Sequence, residues 1–250
     1  METQDQAPLY CSNCEQPVLL TNRFCPTCGT SQNQRELVDD SKKWSQLQGL
    51  ALFFILEIVT CLSTLFVAHP TIQTDIFFGV LMAIISVLFF SSDWKNNKHL
   101  LKWPGFSFVK LLTFIILAII GSLMVQVIAW YLNQHVFHEE FFDFPLYQSH
   151  PFGTYIMIVS IAVFPALFEE LAYRGYLLQK LLNIVDRKEA MYITSILFFL
   201  IHFSLFSFFW LLPFALLLAY IRIKENTIWY GILIHFVFNL TACLVDIIYS

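Results

Sequence analysis

The sequence predicts an all-α protein, a polytopic bundle of about seven transmembrane helices that follows a small zinc-ribbon module. The chain has 250 residues, of which 58% are hydrophobic and only 13% are charged. Soluble domains of this size carry about twice that charged fraction. Long apolar stretches begin near residue 47, whereas the polar first 43 residues contain four of the six cysteines. These observations predict three segments: a zinc ribbon and linker at 1–43, additional transmembrane helices at 44–151, and a transmembrane core at 152–250.

Each of the seven apolar stretches approaches the ~20 residues that a helix needs to cross a membrane. Pro165 lies inside the fourth stretch and is expected to kink it, because proline removes a backbone donor. The sixth stretch is short and contains Pro213, so we expect a tilted or partly re-entrant segment. The predicted spans are 47–68, 72–91, 106–132, 152–182, 190–206, 208–222 and 227–249.

The basic residues predict a cytoplasmic N-terminus. With seven spans in that orientation, every Lys and Arg except Arg174 falls in or beside a cytoplasmic segment. The net charge of −4, without a basic patch interleaved with aromatic residues, gives no support to nucleic-acid binding. We therefore expect a multi-pass protein of a cell membrane.

The cysteines near the N-terminus form two C-x-x-C pairs separated by ten residues: Cys11 with Cys14, and Cys25 with Cys28. Four thiolates in this pattern predict a closed, tetrahedral and therefore structural Zn²⁺ site. A pair of disulfides is the alternative, which the reducing cytoplasmic compartment disfavours. The ribbon could bind a protein partner, which the sequence does not identify.

Six polar residues lie inside the later apolar stretches, where an ionisable group costs at least ~3 kcal/mol. At a rise of ~1.5 Å per residue, all six fall at a similar depth, toward the cytoplasmic side. Glu170 and Arg174 are i, i+4 neighbours that can pair, and Phe198 can pack on His202 one turn later. The six residues are Glu169, Glu170, Arg174, His202, His235 and Asn239.

These side chains are suited to hydrolysis of an amide. A buried carboxylate and a histidine that share a water can remove its proton, while a second histidine and an asparagine can stabilise an oxyanion. The sequence contains no G-x-S-x-G and no H-E-x-x-H motif. Structural roles remain alternatives, since the acidic pair could form a salt bridge and His235 with Asn239 could join helices. Glu57 in the first span is equally compatible with a structural or a functional role.

Three motifs resemble those of the CPBP family, the CAAX-protease and bacteriocin-processing intramembrane endopeptidases. They are the EExxxR pattern of Glu169 to Arg174, the FxxxH pattern of Phe198 to His202, and the HxxxN pattern of His235 to Asn239. The resemblance implies that Glu169 and His202 position the attacking water and that His235 and Asn239 form the oxyanion site. It also implies that Glu170 with Arg174 supports Glu169. A short chain with a ribbon is similar to bacterial members.

The leading hypothesis is therefore an intramembrane endopeptidase that cleaves a membrane-associated protein or peptide and needs no cofactor in its catalytic site. A metalloprotease variant is an alternative, because Glu169, His202 and His235 could hold zinc. A different class is a non-catalytic immunity or regulatory protein that binds a peptide in the same cavity. A proton-coupled carrier is the weaker third hypothesis.

Overall fold

The computed structural model describes residues 9–11, 14–18, 27, 40–103, 105, 107–137, 143–204 and 207–250. The chain divides into two compact units, Met1–Ser45 and Gln46–Ser250. The described part of the first unit contains a small antiparallel pair of strands, β1 (Leu9–Tyr10) and β2 (Pro17–Val18). From residue 40 onward, the described elements are helical.

The hairpin between β1 and β2 contains the first cysteine pair. Cys11 is buried at the end of β1, and its backbone N–H donates to Gln16 at 2.8 Å. Glu15 adopts a positive φ of 53°, which closes the turn around Cys14. The second pair, Cys25 and Cys28, lies outside the described residues, so the four-thiolate zinc site remains a prediction.

Five helices among the described residues are long and apolar enough to cross a membrane. The other two predicted spans correspond to shorter or more charged helices, α9 (Arg187–Leu200) and α10 (Phe208–Glu225), so the expected total of about seven is not confirmed. With 14 residues, α9 extends ~21 Å, less than a ~30 Å hydrocarbon layer. Three charged residues lie near the end of α10. The five candidate spans are Lys43–Thr64, Ile72–Ser92, Phe108–Val136, Gly153–Leu181 and Trp229–Tyr249.

The helix ends follow local capping chemistry. Thr71 and Thr74 form a capping box at the start of α2, and Asp186 with Glu189 forms another before α9. Asn226 ends α10 in the left-handed conformation. In chain order the helices are α1 (Asp40–Thr64), α2 (Ile72–Ser92), α3 (Trp94–Asn97), α4 (Phe108–Leu132), α5 (Phe144–Tyr147), α6 (Gly153–Met157), α7 (Phe164–Glu169), α8 (Leu178–Leu181), α9 (Arg187–Leu200), α10 (Phe208–Glu225) and α11 (Trp229–Tyr249).

A continuous helix, Gly153–Leu181, contains the first motif, and we call it the motif helix. It consists of α6, α7 and α8 joined by two π-helical segments, Ile158–Val163 and Glu170–Leu177. Pro165 follows the first of these segments, so the irregularity expected at the proline takes the form of wide turns. Segments of this kind are frequent at functional sites, because they turn side chains away from the regular helical rows.

The motif helix is at the centre of the apolar core. Its Tyr173 packs edge-to-face against Phe53 of α1 and Phe198 of α9. Ala215 of α10 belongs to the same buried cluster. A second cluster joins α4, α10 and α11 around Leu218. The glutamate motif, Glu169 to Arg174, is therefore enclosed by helices that come from both halves of the chain.

Candidate active site

Glu170 and Arg174 form a buried ion pair on one face of the motif helix. Both side chains are 0% exposed, and the Arg174 Nη1 donates to Glu170 Oε1 at 2.9 Å. The Nη2 of Arg174 also donates to the Ala215 carbonyl at 3.3 Å, and its guanidinium lies 4.4 Å from the centre of the Phe198 ring. Each charge thus has an opposite charge or a dipole beside it, which a buried ionic pair requires.

His235 of α11 links the two glutamates. Its Nδ1 is 3.1 Å from Glu170 Oε1, and its Nε2 is 3.9 Å from Glu169 Oε2. Because the Glu170 carboxylate can only accept, it favours the tautomer in which Nδ1 bears the hydrogen. Nε2 is then an acceptor, and it lies 3.9 Å from Glu169 Oε2, which is too long for a direct hydrogen bond. A water that donates one O–H to each acceptor would satisfy both.

The His235 ring is held by two aromatic rings. Phe214 of α10 and Phe198 of α9 contact it edge-to-face, at centroid distances of 5.4 Å and 6.2 Å. The ring is 4% exposed, so it has little freedom to turn away from the glutamates. The orientation of Nε2 is therefore determined by packing as well as by the hydrogen bond to Glu170.

Gly231, one turn before His235, makes room for Glu170. A Cβ at this position would lie 2.6 Å from Glu170 Oε2. That distance is shorter than any normal contact, so α11 can approach the carboxylate only where this side chain is absent. Gly231 is not among the residues that the sequence motifs indicated. Its available signal was a glycine four residues before a histidine in an otherwise apolar helix.

Asn239 joins α11 to the motif helix. Its Nδ2 donates to the Ile161 carbonyl at 2.9 Å. In an α-helix that carbonyl would accept from residue 165, but Pro165 has no N–H. The bond is therefore of the kind expected if Asn239 joins helices, and one of its two amide hydrogens is committed to it.

His202 lies at the edge of the site. It follows the end of α9 in a turn and is exposed, whereas the sequence predicted a span that continues to residue 206. Its Nδ1 is 2.8 Å from the Phe198 carbonyl, and its ring packs against the Phe198 ring at 5.0 Å, as expected. Among the described residues, no hydrogen bond or ion pair joins His202 to Glu169. Phe198 lies between His202 and His235, with which it makes contacts on both sides.

Glu169 borders a cavity of about 100 Å³ between α1, α2 and the motif helix. Its side chain is 22% exposed, in contrast to the fully buried Glu170. A second cavity of about 300 Å³ shares Gly79, Ser160 and Phe164 with the first, and its lining is mostly apolar. Within the described part of the chain, no group of three His, Cys, Asp or Glu residues is arranged to hold a metal ion.

Residues 151–241 match the family model of type II CAAX prenyl endopeptidase Rce1-like proteins. The matched segment contains all six predicted site residues and supports the resemblance to the CPBP family. It suggests an intramembrane endopeptidase, and together with the five apolar helices it supports an integral membrane protein. No curated protein and no solved structure matches the chain.

Proposed function

We propose that this protein is an intramembrane endopeptidase in which Glu169 activates a water molecule that attacks a peptide bond. The observation that carries the proposal is the position of His235, whose Nδ1 is 3.1 Å from Glu170 Oε1 and whose Nε2 is 3.9 Å from Glu169 Oε2. The substrate is a membrane-associated protein or peptide. The match of residues 151–241 to a family of endopeptidases supports this class of reaction.

In the proposed reaction, water bound between Glu169 and His235 transfers a proton to this pair as it attacks the carbonyl carbon. Glu169 can accept the proton because it borders a cavity, whereas Glu170 is committed to Arg174 and His235. The same proton can then pass to the leaving nitrogen when the C–N bond breaks. General acid–base catalysis of this kind contributes roughly 10²–10⁴-fold to a rate.

The oxyanion requires hydrogen-bond donors, and His235 can become one of them. While Nδ1–H donates to Glu170, Nε2 is an acceptor, so it donates to an oxyanion only after it has taken a proton. Asn239 has a second amide hydrogen beside the one bound to Ile161. The Nδ1 of His202 lies 2.8 Å from the Phe198 carbonyl, and its proposed role in holding the water stays a prediction.

The experiment compares membranes that contain the intact protein with membranes that contain its Glu169→Gln variant. Mass spectrometry of membrane peptides is expected to show cleavage products with the former that are absent with the latter. Glu225→Gln is the matched control, because it removes a carboxylate that lies outside the three motifs and pairs with the half-exposed Lys110. If the Glu169→Gln membranes contain the same products, the protein is not this kind of protease. That outcome would favour a non-catalytic binding role in the same cavity.

A further inference from the structure

Glu57 of α1 is a buried carboxyl group that the proposed mechanism does not use. It lies outside the segment that matches the family model. Its side chain is 0% exposed, and neither carboxylate oxygen has a hydrogen-bond partner among the described residues. An ionised carboxylate in such a place costs several kcal/mol, because it loses its water without gaining a partner. Something must therefore neutralise this group.

The cavity beside Glu169 is also lined by Glu57. Two carboxylates around one low-dielectric cavity repel each other, so one of them retains its proton. Glu169 is 22% exposed and can be solvated, whereas the Glu57 oxygens are inaccessible. The proton therefore belongs on Glu57, whose oxygens the solvent cannot reach.

The cationic side chains nearby are already engaged elsewhere. Arg174 is bound to Glu170 and Ala215, and Arg222 donates to the Arg174 carbonyl and to Gln179. A metal ion would need contact with the Glu57 oxygens, which have no accessible surface. A proton is the cation that needs no additional room.

Few titratable groups surround Glu57 in the described structure. The motif helix contributes Glu169 and Tyr173, whose buried hydroxyl lies beside Glu57 without a hydrogen bond of good geometry. Cys61 is one turn further along α1. The cavity-lining residues of α2 are Gly79, Met82 and Ser86, none of which is charged.

We propose that Glu57 is a positioning residue for Glu169. Glu57 holds one proton at neutral pH, so the two carboxyl groups together carry a single negative charge. The effect of Glu57 on catalysis rests on the proposed function, whereas the presence of a proton on Glu57 does not depend on it. When alkaline solution removes this proton, a second charge appears beside the place where the oxyanion forms, and hydrolysis slows. The alkaline limb of the pH profile then reports mainly Glu57.

Infrared spectroscopy of the full chain in lipid bilayers tests the proton without any substrate. At neutral pH, the intact protein is expected to show the carbonyl band of a protonated carboxyl, and Glu57→Gln is expected to remove it. Glu225→Gln should retain the band, and Glu57→Asp should shift its frequency, which provides a second variant if the glutamine protein does not fold. A neutral-pH spectrum of the intact protein without this band would overturn the proposal.

The pH dependence of hydrolysis tests the link to Glu169. Glu57→Gln is expected to move the alkaline limb upward by on the order of one pH unit or more, while the acid limb stays in place. A purely structural role for Glu57 would lower the rate at every pH and leave the shape of the profile unchanged. An unmoved alkaline limb would contradict the proposal. If the intact protein hydrolyses nothing, the proposed function fails, and the infrared result still decides the position of the proton.

Discussion

Replacing Gly231 by alanine tests how closely the site is packed. The added Cβ would lie 2.6 Å from Glu170 Oε2, so the carboxylate must move away. The Glu170 carboxylate is the end of a side chain and could move, but its Oε1 is bound to Arg174 and to His235. Movement of the carboxylate would therefore break these two contacts or displace both partners. The substitution therefore affects the whole buried ionic group.

The magnitude follows from two opposed effects. Alanine in a helix interior is about 1 kcal/mol more favourable than glycine. Breaking a buried ion pair costs about 3–5 kcal/mol. We therefore expect a net loss of roughly 2–4 kcal/mol in the free energy of unfolding if the pair is broken. A misplacement of about 1 Å at His235 can lower the rate about 10²-fold.

Thermal unfolding in detergent measures the stability, and formation of the Glu169-dependent cleavage products measures the activity. Gly121→Ala on helix α4 is the matched control, because the added Cβ would lie 3.8 Å from the Phe238 ring, which is an ordinary van der Waals distance. We expect the control to be neutral or slightly stabilised and fully active. If Gly231→Ala and Gly121→Ala behave alike in both assays, the close approach of α11 to Glu170 has been wrongly inferred.

The remaining predictions concern the buried pair, the helix junction and the ribbon. Arg174→Met is expected to destabilise the protein by about 3–5 kcal/mol, because it leaves Glu170 unpaired; adding Glu170→Gln should recover part of this loss in denaturation, and no recovery would contradict the pairing. Asn239→Leu should cost about 0.5–1.5 kcal/mol in thermal unfolding by removing the hydrogen bond from α11 to the Ile161 carbonyl, and an unchanged stability would contradict this link. Elemental analysis of the purified chain should find one zinc per protein, which Cys25→Ser reduces, and metal-free intact protein would contradict the ribbon.

Helical spacing was sufficient to predict the contacts within two of the three motifs. The interval of four residues indicated the Glu170–Arg174 pair, and the structure contains it with both groups buried. The same interval indicated that Phe198 packs on His202. Such contacts depend on local geometry alone, since residues four apart lie on one helical face.

The position of His202 was less predictable, because the depth estimate assumed that its helix continued. Helix α9 ends at Leu200, and Phe203 adopts a positive φ of 47°. Beyond it, Ser207 donates both its backbone N–H and its hydroxyl to Ser204. Serine side chains that bond to nearby backbone in this way compete with helical hydrogen bonds, which a count of apolar residues does not register.

Contacts between helices could not be predicted from spacing. The sequence indicated that His235 and Asn239 are available for hydrogen bonding, but it did not show that Glu170 and the Ile161 carbonyl are their partners. These partners depend on how far α11 approaches the motif helix, and that distance is set by Gly231 and by the π-helical turns. Glu57 became interpretable for the same reason, because a cavity places it near Glu169.

The most direct measurement is the rate of peptide-bond cleavage by the purified full chain in lipid vesicles, with a substrate identified from the membrane comparison. Glu169→Gln is expected to lower this rate by at least about 10²-fold, while the variant unfolds at the same temperature as the intact protein. Cleavage by the variant at an unchanged rate would contradict the assignment of Glu169 as the group that activates water.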